Sequence, residues 1–344
     1  MTRKTQKIDL HKSNLPLKIL NSNEDDFKQY QAEALNLKLK NFGNEIWFYA
    51  PSLMVYSTDY FEIKNKYKFV PISITGTKCQ LQCDHCKTKI LETMFKAESP
   101  EYLNKIVRDL VINRGCEGIL ISGGSRIDGT VPFLDFIDVI KNIKDELGIT
   151  IILHSGLVSE EIARLLAETG IDAVMLDIIG HNATIKQIYH LNRKIEDFEQ
   201  SLQNLNNYKI PFVPHIILGL HYGKILGELD ALRMIKKYNP ASLVLLVLMP
   251  FENTPMENVK PIPPHKFARF AVISRFMFPK IPILLGCARP VGDHKLETDI
   301  FALKSGLNGI AFPCQEAIEY AMKKGYQINF SETCCSLIYK HINP

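Results

Sequence analysis

The chain has 344 residues, 46% of them apolar, which is enough for a large core in one long domain or two shorter ones. Lys and Arg total 41 against 37 Asp and Glu, and the resulting charge of +4 is too even for the basic footprint of a nucleic-acid-binding protein. No apolar run approaches the ~20 residues of a membrane span, the basic start over residues 1–7 is not followed by the apolar stretch of a secretory signal, and eight cysteines in such a chain point to reduced thiols and metal binding in the cytoplasm rather than to disulfides.

Residues 1–22 are polar and irregular and read as a mobile tail. A helix is expected from Asn23 to Phe42: Asn23 can cap it, Glu24, Asp25 and Asp26 suit its positive start, and Gly43 can end it. Glu45-Ile46-Trp47-Phe48-Tyr49-Ala50-Pro51 holds the single tryptophan and reads as a core or lid strand. From residue 69 onward strands and helices alternate. Strands are expected at 69–74, 118–122, 150–154, 173–177, 212–218, 242–249, 281–285 and 308–312. Helices are expected near 99–113, 132–147, 159–169, 195–207, 226–237, 264–277, 293–305 and 315–324. The strands are continuous apolar runs rather than apolar–polar alternations, as in a parallel sheet covered by helices. Eight such units over roughly 255 residues match the length of a (β/α)8, TIM-type barrel. The expected organisation is α/β: an N-terminal helical extension over 1–60, a barrel domain over 61–325 and a cysteine-bearing C-terminal tail over 326–344. Barrels carry chemistry at the C-terminal ends of their strands, so the motifs that matter are those that follow a strand.

Just past the first of these strands comes Thr75-Gly76-Thr77-Lys78-Cys79-Gln80-Leu81-Gln82-Cys83-Asp84-His85-Cys86, with Cys79, Cys83 and Cys86 spaced C-x3-C-x2-C. Three thiolates on one short loop can wrap one corner of a cubic iron–sulfur cluster, a group that ordinarily takes four cysteines. Three ligands leave one iron open to something other than protein. A zinc site would show a second C-x2-C or H-x3-H pair, and none lies near. The loop resembles that of the radical S-adenosylmethionine (radical SAM) enzymes. That resemblance implies a 4Fe–4S cluster on Cys79, Cys83 and Cys86, whose open iron chelates the amino and carboxylate groups of S-adenosylmethionine, with His85 near the adenine. It further implies cleavage of the sulfonium to methionine and a 5′-deoxyadenosyl radical, which takes hydrogen from an unreactive carbon. Many members of the family have only six βα units, so the barrel is either complete or partial.

Ser122-Gly123-Gly124-Ser125 follows the second strand, and its glycines let the backbone come close to a ligand. Its place matches the family's Gly-Gly-Glu segment, which binds the methionyl amine, with Ser125 where glutamate is common. His154 and Asp177 end the third and fourth strands, where they either contact the ribose, the methionine carboxylate or the substrate, or cap their own turns. The segment 178–192 carries Thr184, Tyr189 and His190, to which no ligand contact is assigned. Gly219, after the fifth strand, falls in a segment resembling the family's glycine loop near the adenine. Pro250-Phe251-Glu252-Asn253-Thr254-Pro255-Met256 resembles the P-x-x-G-T-P-L of biotin synthase and its relatives; Asn253 replaces a glycine and tolerates the same left-handed backbone. Cys287-Ala288-Arg289 resembles the A-G-R of biotin synthase, whose arginine ligates a second cluster, yet the third and fifth strands lack the cysteines that biotin synthase places there. Of the remaining thiols, Cys116 reads as structural. Cys287, Cys334 and Cys335, with Cys314 as a further candidate, are assigned to an auxiliary iron–sulfur cluster, against the plainer reading as small buried apolar residues.

Together with Trp47-Phe48-Tyr49-Ala50-Pro51, these motifs resemble archaeal proteins of the biotin synthase-like branch, two of which act together as a lipoyl synthase. The resemblance implies sulfur insertion at C6 or C8 of an octanoyl chain on a lysine of a carrier protein, with the auxiliary cluster as sulfur source. It also implies a low-potential electron donor of the ferredoxin or flavodoxin type and a second radical SAM protein as partner. Two other readings stay open: a radical SAM enzyme without sulfur insertion, such as a mutase, methylase or cofactor-maturation enzyme, and a non-catalytic iron–sulfur protein. No nucleic-acid or membrane partner is expected.

Overall fold

A computed structural model describes residues 14–52 and 54–342. Its strands are β1 (Glu45–Tyr49), β2 (Phe69–Ser73), β3 (Phe95–Lys96), β4 (Gly118–Ser122), β5 (Thr150–Ser155), β6 (Ala173–Asp177), β7 (Phe212–Leu218), β8 (Leu243–Val247), β9 (Ile283–Leu285), β10 (Gly309–Ala311) and β11 (Gln327–Ser331). Its helices are α1 (Leu15–Leu20), α2 (Glu24–Phe42), α3 (Lys89–Glu92), α4 (Pro100–Arg114), α5 (Ile137–Leu147), α6 (Glu160–Ala167), α7 (Asn182–Ile188), α8 (Ile195–Asn207), α9 (Glu228–Ile235), α10 (Pro264–Met277), α11 (Asp293–Lys304) and α12 (Gln315–Lys323). All eight strands expected from the apolar runs form, as do the eight helices between and after them. None of the described helices is long and apolar enough to cross a membrane.

The strands make one parallel sheet in the order β11-β1-β10-β9-β8-β7-β6-β5-β4-β2-β3. β2, the first strand of the alternation, pairs with β3 and β4, and β10, the eighth, pairs with β9 and β1. The two do not meet, so the barrel is partial. The aromatic segment expected as core or lid is β1, a sheet strand between β10 and β11 in register Trp47↔Gly309 and Trp47↔Asn329. Gly309 has no side chain to oppose the indole there.

The amino-terminal reading needs one correction. Residues 15–20 are helical rather than irregular, because Leu15 and Ile19 bury against the core and Arg269 donates to Ile19 O and Ser22 Oγ, each at 2.6 Å. The rest of the expected mobile tail, residues 1–13, lies outside the described residues. α2 behaves as its sequence predicts: Asn23 accepts from Asp26 N at 2.9 Å, and Gly43 ends the helix at φ +65°. α7 forms within segment 178–192, outside the expected helices, capped by the His181 ring, which accepts from Ala183 N at 3.1 Å.

After β11 the tail turns back into the barrel. A 3-10 turn, Cys335–Lys340, fills the floor of the sheet. Ser242, just before β8, donates to Ser336 O at 3.2 Å, Tyr339 and Lys340 reach Asp172 just before β6, and His341 stacks on Trp47 with ring centroids 4.4 Å apart. Leu337 and Ile338 are fully buried, each contributing about 1.5–3 kcal/mol of apolar burial. The floor is thus closed and the C-terminal strand ends surround a mouth.

Arg275 on α10 is wholly buried and has no carboxylate partner among the described residues. It donates to Gly306 O at 3.0 Å, Phe278 O at 3.1 Å, Ile281 O at 3.0 Å and to Asn308 Oδ1, so it ties the end of α10 to the starts of β9 and β10. Replacing Arg275 with Met takes the donor from Gly306 O and Ile281 O and leaves Asn308 Oδ1 and Phe278 O with one backbone donor each, and urea denaturation is expected to show a loss of about 3–5 kcal/mol. A loss below ~1 kcal/mol would contradict this account of the network.

Candidate active site

The cysteine loop leaves β2 through a tight turn. Ser73 Oγ donates to Gly76 O at 2.6 Å, and Gly76 adopts φ +59°, a left-handed value that favours glycine. The loop then lies directly on Gly124. A Cβ at Gly124 would stand 2.0 Å from Lys78 O and 2.5 Å from Cys79 Cβ. Gly124 N donates to Thr75 Oγ1 at 2.7 Å, Gln80 N to Ser125 O at 2.9 Å and Ile74 N to Ser122 O at 2.8 Å. Ser122 Oγ in turn donates to His154 O at 3.0 Å. The Ser122-Gly123-Gly124-Ser125 segment therefore seats the cysteines, besides lying where backbone can approach a ligand.

On its far side the loop is held through Asp84, which the sequence reading did not single out. Asp84 N donates to Ile188 O at 2.9 Å, and its carboxylate accepts from Tyr222 Oη at 2.5 Å and sits 2.9 Å from His190 Nε2. Tyr222 is on the loop after β7 and His190 just past α7, so the strand-end segments with no assigned contact are clamps on the cysteine loop. His221 Nδ1 lies 3.2 Å from Thr184 Oγ1 and joins the same two segments.

The three thiols influence one another directly. The neighbouring Cys83 holds Cys86 down to about 4, with burial opposing and His85 assisting. The same pairing, burial and the nearby Cys79 push Cys83 well above the usual thiol range, and Cys83 Sγ points to Tyr189 O at 3.9 Å. Burial works against a cationic His85, but Cys86 and the carboxylates of Asp177 and Asp84 outweigh it and raise the imidazole. Its Nδ1 is buried without a hydrogen-bond partner among the described residues, and its ring lies 5.2 Å from that of Tyr189. Tyr189 Oη donates to Asp177 Oδ2 at 3.3 Å.

His154 and Asp177 come together, and the structure adds His215 of β7, which sequence reasoning passed over. Asp177 Oδ1 is 3.8 Å from His154 Nε2 and 4.0 Å from His215 Nδ1. Strand alternation is the signal that could have found His215: Val213 packs in the interior cluster, and two residues on His215 points the same way. Gly219 ends the same strand with φ +79°, and its amide donates to Glu228 Oε1 at 2.8 Å. Leu226 N donates to the other oxygen at 2.5 Å. Burial pushes the Glu228 carboxyl up to about 7, against those two donors. Asn253 takes the left-handed backbone expected of it, φ +59°.

Deeper in the barrel Cys334 and Cys335 are buried, and Cys287 lies within electrostatic reach of both. Burial raises the Cys287 thiol, with Cys334 adding to the rise. The pairing of the adjacent Cys334 and Cys335 lowers the first thiol and raises the second, and Cys287 adds to the latter rise. Cys287 is exposed to solvent although protein surrounds it densely. Cys314 lies apart: burial and Asp299 push it up to about 12, and Asp299 Oδ2 accepts from its amide. Cys116 donates to Gly118 O at 3.2 Å behind the sheet. Arg289 is buried and committed to Asp299 through bonds of 2.7 and 3.1 Å, and to Gly286 O and Phe312 O. It holds the β9 and β10 ends together and is not turned toward a cluster.

The family model described as Radical SAM superfamily matches residues 73–223, from the end of β2 through the loop after β7. The chain is 27% identical over 256 residues to a biotin synthase of Coxiella burnetii (strain Dugway 5J108-111), covering 69% of this chain and 74% of that protein. It is 26% identical over 262 residues to a biotin synthase of Buchnera aphidicola subsp. Acyrthosiphon pisum (strain APS), covering 71% of each. Among solved structures, the FeFe-hydrogenase maturase HydG from Carboxydothermus hydrogenoformans superposes with a TM-score of 0.64 at 16% identity, over 97% of this chain and 78% of that one. Methylornithine synthase (PylB) superposes with 0.60 at 14% identity, over 92% and 94%. At such identities these two likenesses speak for the fold alone.

Two measurements check this geometry. Gly124→Ala forces the Lys78 carbonyl away, so thermal and urea unfolding are expected to show a loss of about 1–3 kcal/mol, with faster alkylation of Cys79; an unchanged alkylation rate would contradict the seating contact. Burial holds the folded Glu228 carboxyl at a pKa of about 7, above its ordinary value of 4.5. The folded state therefore holds the extra proton between those values, and stability falls as pH rises from about 4.5 to about 7, by ~3 kcal/mol. Glu228→Gln is expected to flatten that slope in urea titrations across the same range, and an unaltered slope would assign the effect to another group.

Proposed function

The chain is a biotin synthase-like member of the radical SAM superfamily, and on that premise we propose that Cys79, Cys83 and Cys86 bind a 4Fe–4S cluster whose remaining iron holds S-adenosylmethionine. When bound, that pair supplies a 5′-deoxyadenosyl radical for hydrogen abstraction. The residues present fit the group. Three thiols share one loop, and one of them is already drawn to thiolate. His85 keeps a buried Nδ1 that a ligand could satisfy. Ser122, Gly123, Gly124, Ser125 and Gly219 offer backbone groups at the same strand ends, with His154 and Asp177 beside them.

Sulfur insertion is the activity proposed, and the observation that carries it is that Cys334 and Cys335 are buried inside the barrel with Cys287 within electrostatic reach of both. The tail carries two of these thiols, and Cys287 is open to solvent. They suit an auxiliary iron–sulfur cluster that serves as sulfur source. The proposed substrate is an octanoyl chain on a lysine of a carrier protein, a flexible arm able to enter the mouth. A ferredoxin- or flavodoxin-type donor supplies electrons, and a second radical SAM protein completes the pair of C–S bonds. One observation favours a second reading, radical chemistry without sulfur transfer: β5 and β7 lack the cysteines that biotin synthase places in those strands.

The test is mass spectrometry of an octanoyl-lysine peptide after anaerobic reaction with S-adenosylmethionine and reductant, with and without a partner protein. The expected product gains one or two sulfur atoms. The Cys334→Ala/Cys335→Ala double variant is expected to abolish the gain and lower iron from ~8 to ~4 per chain. Sulfur-free modification would favour the second reading, and an unaltered peptide under every condition would contradict the proposed substrate.

A further inference from the structure

Three side chains converge at the barrel mouth without bonding to one another. His154, Asp177 and His215 come from the adjacent strands β5, β6 and β7, and their ligand atoms all lie within 4.8 Å of one another. The 3.8 and 4.0 Å separations from Asp177 Oδ1 are too long for hydrogen bonds. Each outer atom is instead turned away from the gap. Asp177 Oδ2 accepts from Tyr189 Oη at 3.3 Å, and His215 Nε2 lies 3.4 Å from Ser336 Oγ. With the imidazole proton on Nε2 toward Ser336, Nδ1 presents a lone pair to a carboxylate oxygen. The His154 ring makes no hydrogen bond among the described residues.

Lone pair facing lone pair across an empty gap, with a third nitrogen beside them, is an arrangement that a cation completes. We propose that His154, Asp177 and His215 form a site for a divalent first-row transition ion, with its remaining positions open to the barrel cavity. Two imidazoles and one carboxylate suit iron(II) or zinc(II) and leave room for an oxygen or nitrogen donor from a substrate. Ligand bonds of ~2.0–2.2 Å bring neighbouring donors to about 3 Å apart, so closure asks each group to move by less than ~1 Å. Tyr189 and Ser336 supply the outer hydrogen bonds that orient such ligands. The site is distinct from the deeper thiols: Cys334 Sγ lies 4.0 Å from Met175 Sδ, two residues below Asp177 on the same strand. It stands whether or not the protein transfers sulfur.

Cobalt(II) is the probe. Titrated anaerobically into the full chain with its iron–sulfur sites reconstituted, it is expected to bind once per chain, with ligand-field bands of nitrogen and oxygen coordination and no sulfur-to-metal charge transfer. Ser336→Ala is expected to weaken binding by the ~10–100-fold that loss of an outer partner costs, and His215→Gln by more. His154→Asn, at a partly exposed position, carries the same expectation if His215→Gln does not fold, and unchanged melting temperatures and cluster absorption guard each comparison. Absence of tight binding, affinity indifferent to the histidine variants, or intense charge transfer lost in Cys334→Ala/Cys335→Ala would overturn the proposal.

Discussion

The arrangement of the mouth depends on a contact between two stretches of backbone. The cysteine loop rests on Gly124 so closely that no side-chain carbon fits between them. Because β4 is buried along its whole length, Gly124 at its end is a fixed floor, and the position of Cys79 is inherited from the sheet. The opposite side of the loop is secured differently, by hydrogen bonds that gather on Asp84 from Tyr222 and His190. Steric fit on one side and charge-assisted bonds on the other hold three thiols on a segment with little regular structure of its own.

The parallel sheet supplies the second constraint. Parallel strands place all their C-terminal ends on one side, so polar residues at strand ends necessarily collect there. The other end is filled by the chain's own tail, through Leu337, Ile338 and the stacking of His341 on Trp47. That plug explains why β1 and β11 extend the sheet past β10: the tail must reach the interior, and β11 delivers it beside β1. It also carries Cys334 and Cys335 inward as a consequence of how the floor is sealed.

Much of this was legible in the sequence because buried parallel strands are written as unbroken apolar runs, and the eight runs from 69 to 312 all became strands. The cysteine triplet was legible because its ligands are local. What was missed depends on partners far along the chain. Trp47-Phe48-Tyr49 has strand character, but nothing local says that it lies between β10 and β11. Arg289 matches a cluster-ligating motif, yet its bond to Asp299 comes from a helix ten residues on and turns it into a structural ion pair. His215 sits in an apolar strand as a single polar residue, and only the register with Asp177 shows what it faces. Tyr222, His190 and Glu228 lie on loops and caps, where periodicity carries no signal.

The central claim is that three thiols hold an iron cluster with one site left for a sulfonium cofactor. Release of 5′-deoxyadenosine from S-adenosylmethionine by the anaerobically reconstituted, reduced protein tests it most directly. The account predicts release by the parent and none when Cys79, Cys83 or Cys86 is replaced by Ala. Release that survives those substitutions, or a purified protein that carries zinc in this loop and releases nothing, would contradict it.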